Sequence, residues 1–540
     1  MKMPPVILIA VTLATIGVPG HTAVLEPAKF EALIERFNAD DEELYKNDIP
    51  NSEAWDFLQA NVPFFECPDK ELETTYWFRW WTYRKHLRKT PDGWVVTEFL
   101  PSVPWAGPHN TINMAAELHI AEGRWIRNPQ YLDDYSRFWF GPGREASLVY
   151  TNWLADAIWE RAAVTGDKAL PISLLDEMIS QQRRWDGGKA GRAPDWVGLR
   201  ENGLYYTRDD LDGSEVSISG HGFRPLTNSA AYGNLAAISA IASAAGRPEV
   251  ADEFETQARK LKELVQAKLW DPERKFFMLL KEDGSTRSDV RELWGYAPWM
   301  FQLPDPGYEA GWRELNDAEG FKAPFGPTFP EQRHPEFTLS YTGHECQWNG
   351  PSWPLATSIA LTALANLLND YEQLVVDRRV FFETLRTYSN SHRRRLPDGK
   401  VVPWIDENIH PYTGDWISRT VIAERLKKAG RDSHPHKERG KDYNHSTFCD
   451  LIITGLVGLR PRHDDKIVVN PLVPEREWDW FCLDRVRYHG LDVTILWDRD
   501  GQKYNRGAGF QLLVNGQRVA HSPNIQKMEV TLPSSGKNDE

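Results

Sequence analysis

From about residue 28 to residue 457, apolar residues recur at steps of three and four, in segments separated by loops rich in Gly, Pro, Trp and Asp. The clearest run from His109 to Gly123, Glu145 to Gly166, Asn228 to Gly246 and Glu249 to Trp270, and each reads as a helix. Two kinds alternate. Asn228 to Gly246 is rich in small residues and apolar almost all round, as a helix packed on every side must be, whereas Glu249 to Trp270 carries charge along one face. An inner helix followed by an outer one, repeated about six times, predicts a mainly α chain folded as an (α/α)6 barrel, or toroid. Loops at one end of the inner helices then form the pocket, and the polar and aromatic loops belong there.

Past Gly458 the period changes to two. The stretches "KIVVNPLVP", "LDVTILWD" and "GFQLLVNGQRVA" alternate apolar and polar positions between Asp-Gly, Asn-Gly and His-Gly turns, which predicts strands and hairpins. The expected organisation is an export signal over 1–23, a catalytic toroid over 24–458, a β-rich C-terminal cap over 459–533 and a disordered tail over 534–540. The export signal rests on one Lys, an apolar run from Val6 to Val18 and small residues before Ala23. That run is shorter than the roughly 20 residues a bilayer requires, so a secreted or periplasmic protein with no membrane partner is expected.

Composition adds a direction. The 540 residues include 23 Trp, and indole rings are the flat surfaces on which the C–H faces of sugar rings pack. A formal charge of −14 argues against nucleic acid, whose binding draws on Lys and Arg to neutralise phosphates. Four cysteines without C-x-x-C spacing imply neither a zinc site nor a disulfide scaffold, though one or two bridges can form. No cofactor or metal is expected, and the oligomeric state is left open.

Glycosidic hydrolysis by its commonest route needs two carboxyl groups, one protonated and one ionised, on opposite sides of the anomeric carbon. Acidic residues in breaker-rich loops are therefore the candidates. One such loop is "WIDENIHPYTGDWISR", with Asp406 and Glu407 ahead of His410-Pro411 and Thr413-Gly414. Another runs from Tyr205 to Asn234, with Asp209, Asp210, Asp212 and Glu215 ahead of an inner helix capped near Asn228. Its Asp and Gly residues could instead hold calcium, but their spacing is not that of an EF-hand. A third, "ECQWNGPSWPLATSIALTALANLL", sets Trp348, Asn349, Gly350, Pro351 and Trp353 before a core helix from Leu355 to Leu368.

These three stretches resemble the mannosylglycerate-hydrolase-like (α/α)6 glycosidases of glycoside hydrolase family 63, with trehalase more distant. The tryptophan stretch is similar to the family's W-[RN]-G-P-x-W-P, and Glu407, Pro411, Thr413 and Gly414 stand in register with E-x-[YF]-[DN]-P-x-T-G. Ile409 and His410 depart from that pattern. The resemblance implies that Glu407 is the general base and Asp406 its structural neighbour. The family's acid is an Asp in S-G-M-D-N; the nearest stretch here, "DGSEV", puts Glu215 in its place, with Asp212 as the alternative.

Around these, Trp348, Asn349, Gly350 and Trp353 are expected to hold the sugar. Arg224 and Asn228 bind hydroxyls or a substrate carboxylate, or else form a salt bridge and a cap. Trp105 and Asn110 are pocket candidates, while Trp77, Trp80 and Trp81 read as core. Tyr443 and His445 stand at the pocket rim, His445 on its own reading as a hydrogen-bonded structural histidine. The expectation is a secreted, inverting exo-glycosidase for an α-linked gluco-, manno- or rhamno-configured sugar. The rivals are a toroidal sugar epimerase or polysaccharide lyase, led by Tyr443 and His445, and a non-catalytic sugar binder.

Overall fold

A computed structural model describes residues 23–187 and 196–532. The export signal expected over 1–23, but for its final residue, and the tail over 534–540 lie outside the described residues.

The chain is an (α/α)6 toroid followed by a small strand-rich region. Its inner ring runs through Ala116–Gly123, Leu154–Thr165, Pro225–Ala244, Ala297–Met300, Pro354–Asp370 and Leu451–Leu456, each packed on the next. The Glu122 carboxylate closes it, accepting the N–H groups of Phe448, Cys449 and Asp450 at 2.9–3.1 Å. It thereby satisfies the orphan donors at the start of the last turn of helix. Pro225–Ala244 and Pro354–Asp370 are buried along most of their length, whereas Pro248–Leu269 and Arg378–Ser391 show one buried and one solvated face. Trp77, Trp80 and Trp81 are core, as expected.

Helix starts differ from the periodic pattern in an instructive way. His109 to Gly123 is helical as a regular α-helix only over Ala116–Gly123, because His109 and Asn110 take positive φ (58° and 62°). Asn110 holds this turn by accepting the Val103 N–H and donating to the Phe99 and Pro101 carbonyls, all at 3.0 Å. Local side-chain bonds of this kind compete with helix. Likewise Glu145 to Gly166 becomes Leu154–Thr165, with the Glu117 carboxylate and the Asn234 amide taking the N–H groups of Trp153 and Ala155 at its start. Asn228 lies inside Pro225–Ala244 rather than at its cap, since Pro225 fits the first helical position.

In the C-terminal region Trp480–Tyr488, Leu491–Asp498, Gly509–Val514 and Gln517–Ser522 form antiparallel neighbours in a five-stranded sheet. The fifth strand is Phe64–Glu66, from the N-terminal part of the chain, paired to Cys482–Asp484. A second sheet joins Leu459–Arg460, Lys466–Val469 and Met528–Thr531. All four cysteines are free, so the bridges that the sequence allowed do not form. Among the described residues no helix is long and apolar enough to cross a membrane, and no cluster suited to a metal ion is found.

Candidate active site

A cavity of about 350 Å³ opens where the loops enter the N-terminal ends of the inner helices. Its walls include Glu98, Trp105, Trp196, Asp210, Glu215, Glu345, Cys346, Trp348, Trp353, Glu407, Arg439, Tyr443 and His445.

The tryptophan loop sits between the two carboxylate loops and is bonded to both. The Trp348 N–H donates to the Glu215 carbonyl at 3.1 Å, and Ser352 and Ile409 exchange a pair of backbone hydrogen bonds at 3.0 Å two residues past Glu407. Trp348 and Trp353 stack face to face at 4.1 Å and 8°, and both border the cavity. Gly350 is needed because a Cβ there would lie 1.8 Å from the Thr338 carbonyl oxygen.

Glu407 is buried and doubly held. Arg439 donates to its Oε1 from Nε at 3.0 Å and also from Nη2, and the Cys346 thiol donates to its Oε2 at 2.9 Å. Arg439 also reaches Glu345 at 3.3 Å. These carboxylates keep the guanidinium protonated against its burial, and Glu345, paired with Arg425 as well, is lowered to about 2 despite burial. Burial beside Glu407 pushes the Cys346 thiol well up, so it stays an S–H donor.

Glu215 has the opposite setting. Among the described residues no ion pair engages its partly buried side chain, and burial, reinforced by the charge of Glu407, raises its pKa to about 8. At neutral pH one carboxyl of the cavity carries a proton while another is ion-paired.

The other sequence candidates divide. Trp105, Trp348, Trp353, Tyr443 and His445 line the cavity. Asp212, Arg224, Asn228, Asn110, Asn349 and Gly350 are not on its wall. Asp212 is fully buried against Arg224 and Ser214; this pair pins the Glu215 loop instead of facing a substrate. Arg224 spends its remaining donors on Ser214, Ser217, Ser219, Gly220 and Glu292. Asn228 is consumed by the Tyr205 backbone and the Arg224 carbonyl. Asp406 is buried against Gly440 and accepts the Glu407 N–H at 2.9 Å, the structural neighbour expected. His445 is 1% exposed, yet neither ring nitrogen has a partner among the described residues, which contradicts its reading as a hydrogen-bonded structural histidine.

Sequence reasoning missed Glu98, Glu345, Cys346 and Arg439. Cys346 and Glu345 sit inside the tryptophan stretch and Arg439 just ahead of Tyr443, but nothing in their spacing singles them out. They converge only because separate inter-helix loops meet at one end of the ring.

Comparison with known proteins follows this geometry. Residues 107–446 match the family described as "Mannosylglycerate hydrolase MGH1-like glycoside hydrolase domain", and residues 459–521 match the C-terminal domain of glycosyl hydrolase family 65. A solved structure named "Sialidase" is 38% identical with a TM-score of 0.84, covering 94% of this chain and 44% of its own. The GH78 family rhamnosidase of Bacillus sp. GL1 is 16% identical with a TM-score of 0.53, covering 87% of this chain and 43% of its own, and shares the fold. The chain thus spans less than half the length of either.

Proposed function

Since the chain belongs to the mannosylglycerate hydrolase MGH1-like glycoside hydrolases, we propose that it acts on a carbohydrate as an inverting exo-glycosidase. It would remove an α-linked, uncharged glycosyl unit of gluco, manno or rhamno configuration. The observation that carries this reading is the contrast between Glu215 and Glu407, which line the same cavity. Glu215, protonated at neutral pH, donates its proton to the glycosidic oxygen as the bond to the anomeric carbon breaks. Glu407, ion-paired with Arg439, takes a proton from the water that attacks the opposite face. Inversion needs room for that water, with the two carboxyl groups roughly 6.5–9.5 Å apart.

Glu215 is preferred to Asp212 as the acid because the Asp212 carboxylate is already committed to Arg224 and Ser214. The name "Sialidase" on a similar structure raises an anionic sugar as a rival. Among the described residues, five carboxyl side chains line the cavity against one guanidinium, Arg439, which Glu407 and Glu345 already occupy. A sugar carboxylate needs a free bidentate cation there, so this balance supports an uncharged ring.

The test is a screen of aryl α-glycosides and disaccharides, with the first-formed anomer followed by proton NMR. A β-configured first product supports the mechanism, and an α-configured one rules out inversion. We also infer export from the apolar run Val6 to Val18; N-terminal sequencing of protein recovered outside the cytoplasm should begin near Gly20 or Ala23, and an intact Met1 would refute it.

A further inference from the structure

Three cavity residues that the acid–base pair does not use form one cluster. Tyr443 donates its hydroxyl to Glu98 Oε1, and its ring packs on that of His445 with centroids 3.8 Å apart. The backbone joins the same two stretches: Asn444 N–H donates to the Glu98 carbonyl at 3.1 Å and its side chain to that of Thr97 at 3.3 Å. His445 in turn meets the tryptophan wall, edge to face with Trp353 at 6.0 Å.

Within this braced unit, three polar atoms have no partner among the described residues: Glu98 Oε2 and both ring nitrogens of His445. Both side chains are more than nine-tenths buried, and both line the cavity. Buried polar groups are almost always hydrogen-bonded, so orphans that face a cavity point to what fills it. Burial, with the charge of Glu407 adding to it and Tyr443 and Arg439 opposing, raises Glu98 to about 8, while burial holds His445 well below its ordinary value. Glu98 is then an O–H donor, and His445 offers one donor and one acceptor. Two neighbouring hydroxyls, each able to give and to accept, are the matching ligand.

Resting on the hydrolase reading above, we propose that Glu98 and His445, braced by Tyr443, grip neighbouring hydroxyls of an uncharged glycosyl ring lying against the Trp348–Trp353 wall. Glu98 is thereby a specificity-determining contact, outside the acid–base pair.

The experiment uses p-nitrophenyl α-glycosides of glucose, mannose and rhamnose with their monodeoxy counterparts, on wild type, Glu98→Gln and Glu98→Leu. Wild type should reject one monodeoxy analogue by roughly 100-fold or more in kcat/KM, the pattern of a site built around a hydroxyl. Glu98→Leu should lower kcat/KM on the parent glycoside by a similar factor and shrink that one discrimination below about tenfold, leaving the other deoxy positions unchanged. Glu98→Gln, which keeps an N–H donor, should recover part of both. Unchanged discrimination in Glu98→Leu overturns the proposal, as does turnover of a p-nitrophenyl glucuronide or a 4-methylumbelliferyl sialoside. If no glycoside is hydrolysed, the hydrolase reading fails separately. Calorimetric binding of the same sugars then decides the cluster: equal loss of affinity for parent and deoxy sugar in Glu98→Leu overturns it, and loss for the parent alone supports it.

Discussion

At the scale of single residues, the reading depends on two carboxyl groups of different character. Replacing either Glu407 or Glu215 by Gln should cost several orders of magnitude in kcat while the sugar still binds, as measured by steady-state kinetics beside calorimetric titration. Glu215 must keep its proton to act, so with its pKa raised to about 8 the enzyme should be active below that value and lose kcat as pH rises through it. Glu98, raised to about 8 by the same burial, titrates in the same window, and Glu98→Gln should make the alkaline fall less steep without removing it. A pH–rate series on the two proteins checks both points. Cys346 is a positioning residue, acting through Glu407 Oε2 by its S–H donor. Cys346→Ser keeps a donor and should stay near wild type, whereas Cys346→Ala should lose about fivefold in kcat, ~1 kcal/mol for one hydrogen bond.

At the scale of elements, the tryptophan loop is a spacer as well as a wall. Its backbone bonds to the Glu215 carbonyl on one side and to Ile409, near Glu407, on the other, so its shape sets the gap between the two carboxyl loops. Gly350→Ala would drive a methyl into the Thr338 carbonyl. It should cost at least about 1–3 kcal/mol of stability and lower kcat more than sugar affinity, read by thermal melting and kinetics together. Periodicity found the existence and order of helices such as Pro354–Asp370, whose apolar pattern is unbroken. It overran the starts of Ala116–Gly123 and Leu154–Thr165, because Asn110 holds a local turn ahead of the first, and Glu117 and Asn234 take backbone N–H groups of the second from distant positions. Glu407 was legible because a dense motif surrounds it. Arg439, 32 positions away, was not, since an ion pair between loops leaves no mark on spacing.

At the scale of the whole molecule, the C-terminal sheet is integral to the fold. Phe64–Glu66 from the N-terminal region is its edge strand, and the Asp484 carboxylate accepts the N–H groups of Val24 and Leu25 at 2.7 and 3.0 Å. Ending the chain at Gly458 would strip this strand of its ladder and expose the apolar faces that cover it. The shortened protein should therefore aggregate or melt well below the full chain, and soluble expression with a thermal scan would check this. A shortened chain that melts cooperatively at the full-length temperature would show that the toroid stands alone.

The sequence by itself determined the class of fold and the kind of chemistry. Hydrophobic periods of 3.6 and 2 are local properties, and the motifs of the proposed acid, the proposed base and the tryptophan loop each lie within a few consecutive residues. Tertiary structure alone decided which of these residues share the cavity. It withdrew Asp212, Arg224 and Asn228 into loop scaffolding and brought in Glu98, Cys346 and Arg439. The physical reason is that burial and ion pairing depend on what neighbouring loops contribute, and those neighbours are set by closure of the ring, hundreds of residues apart along the chain.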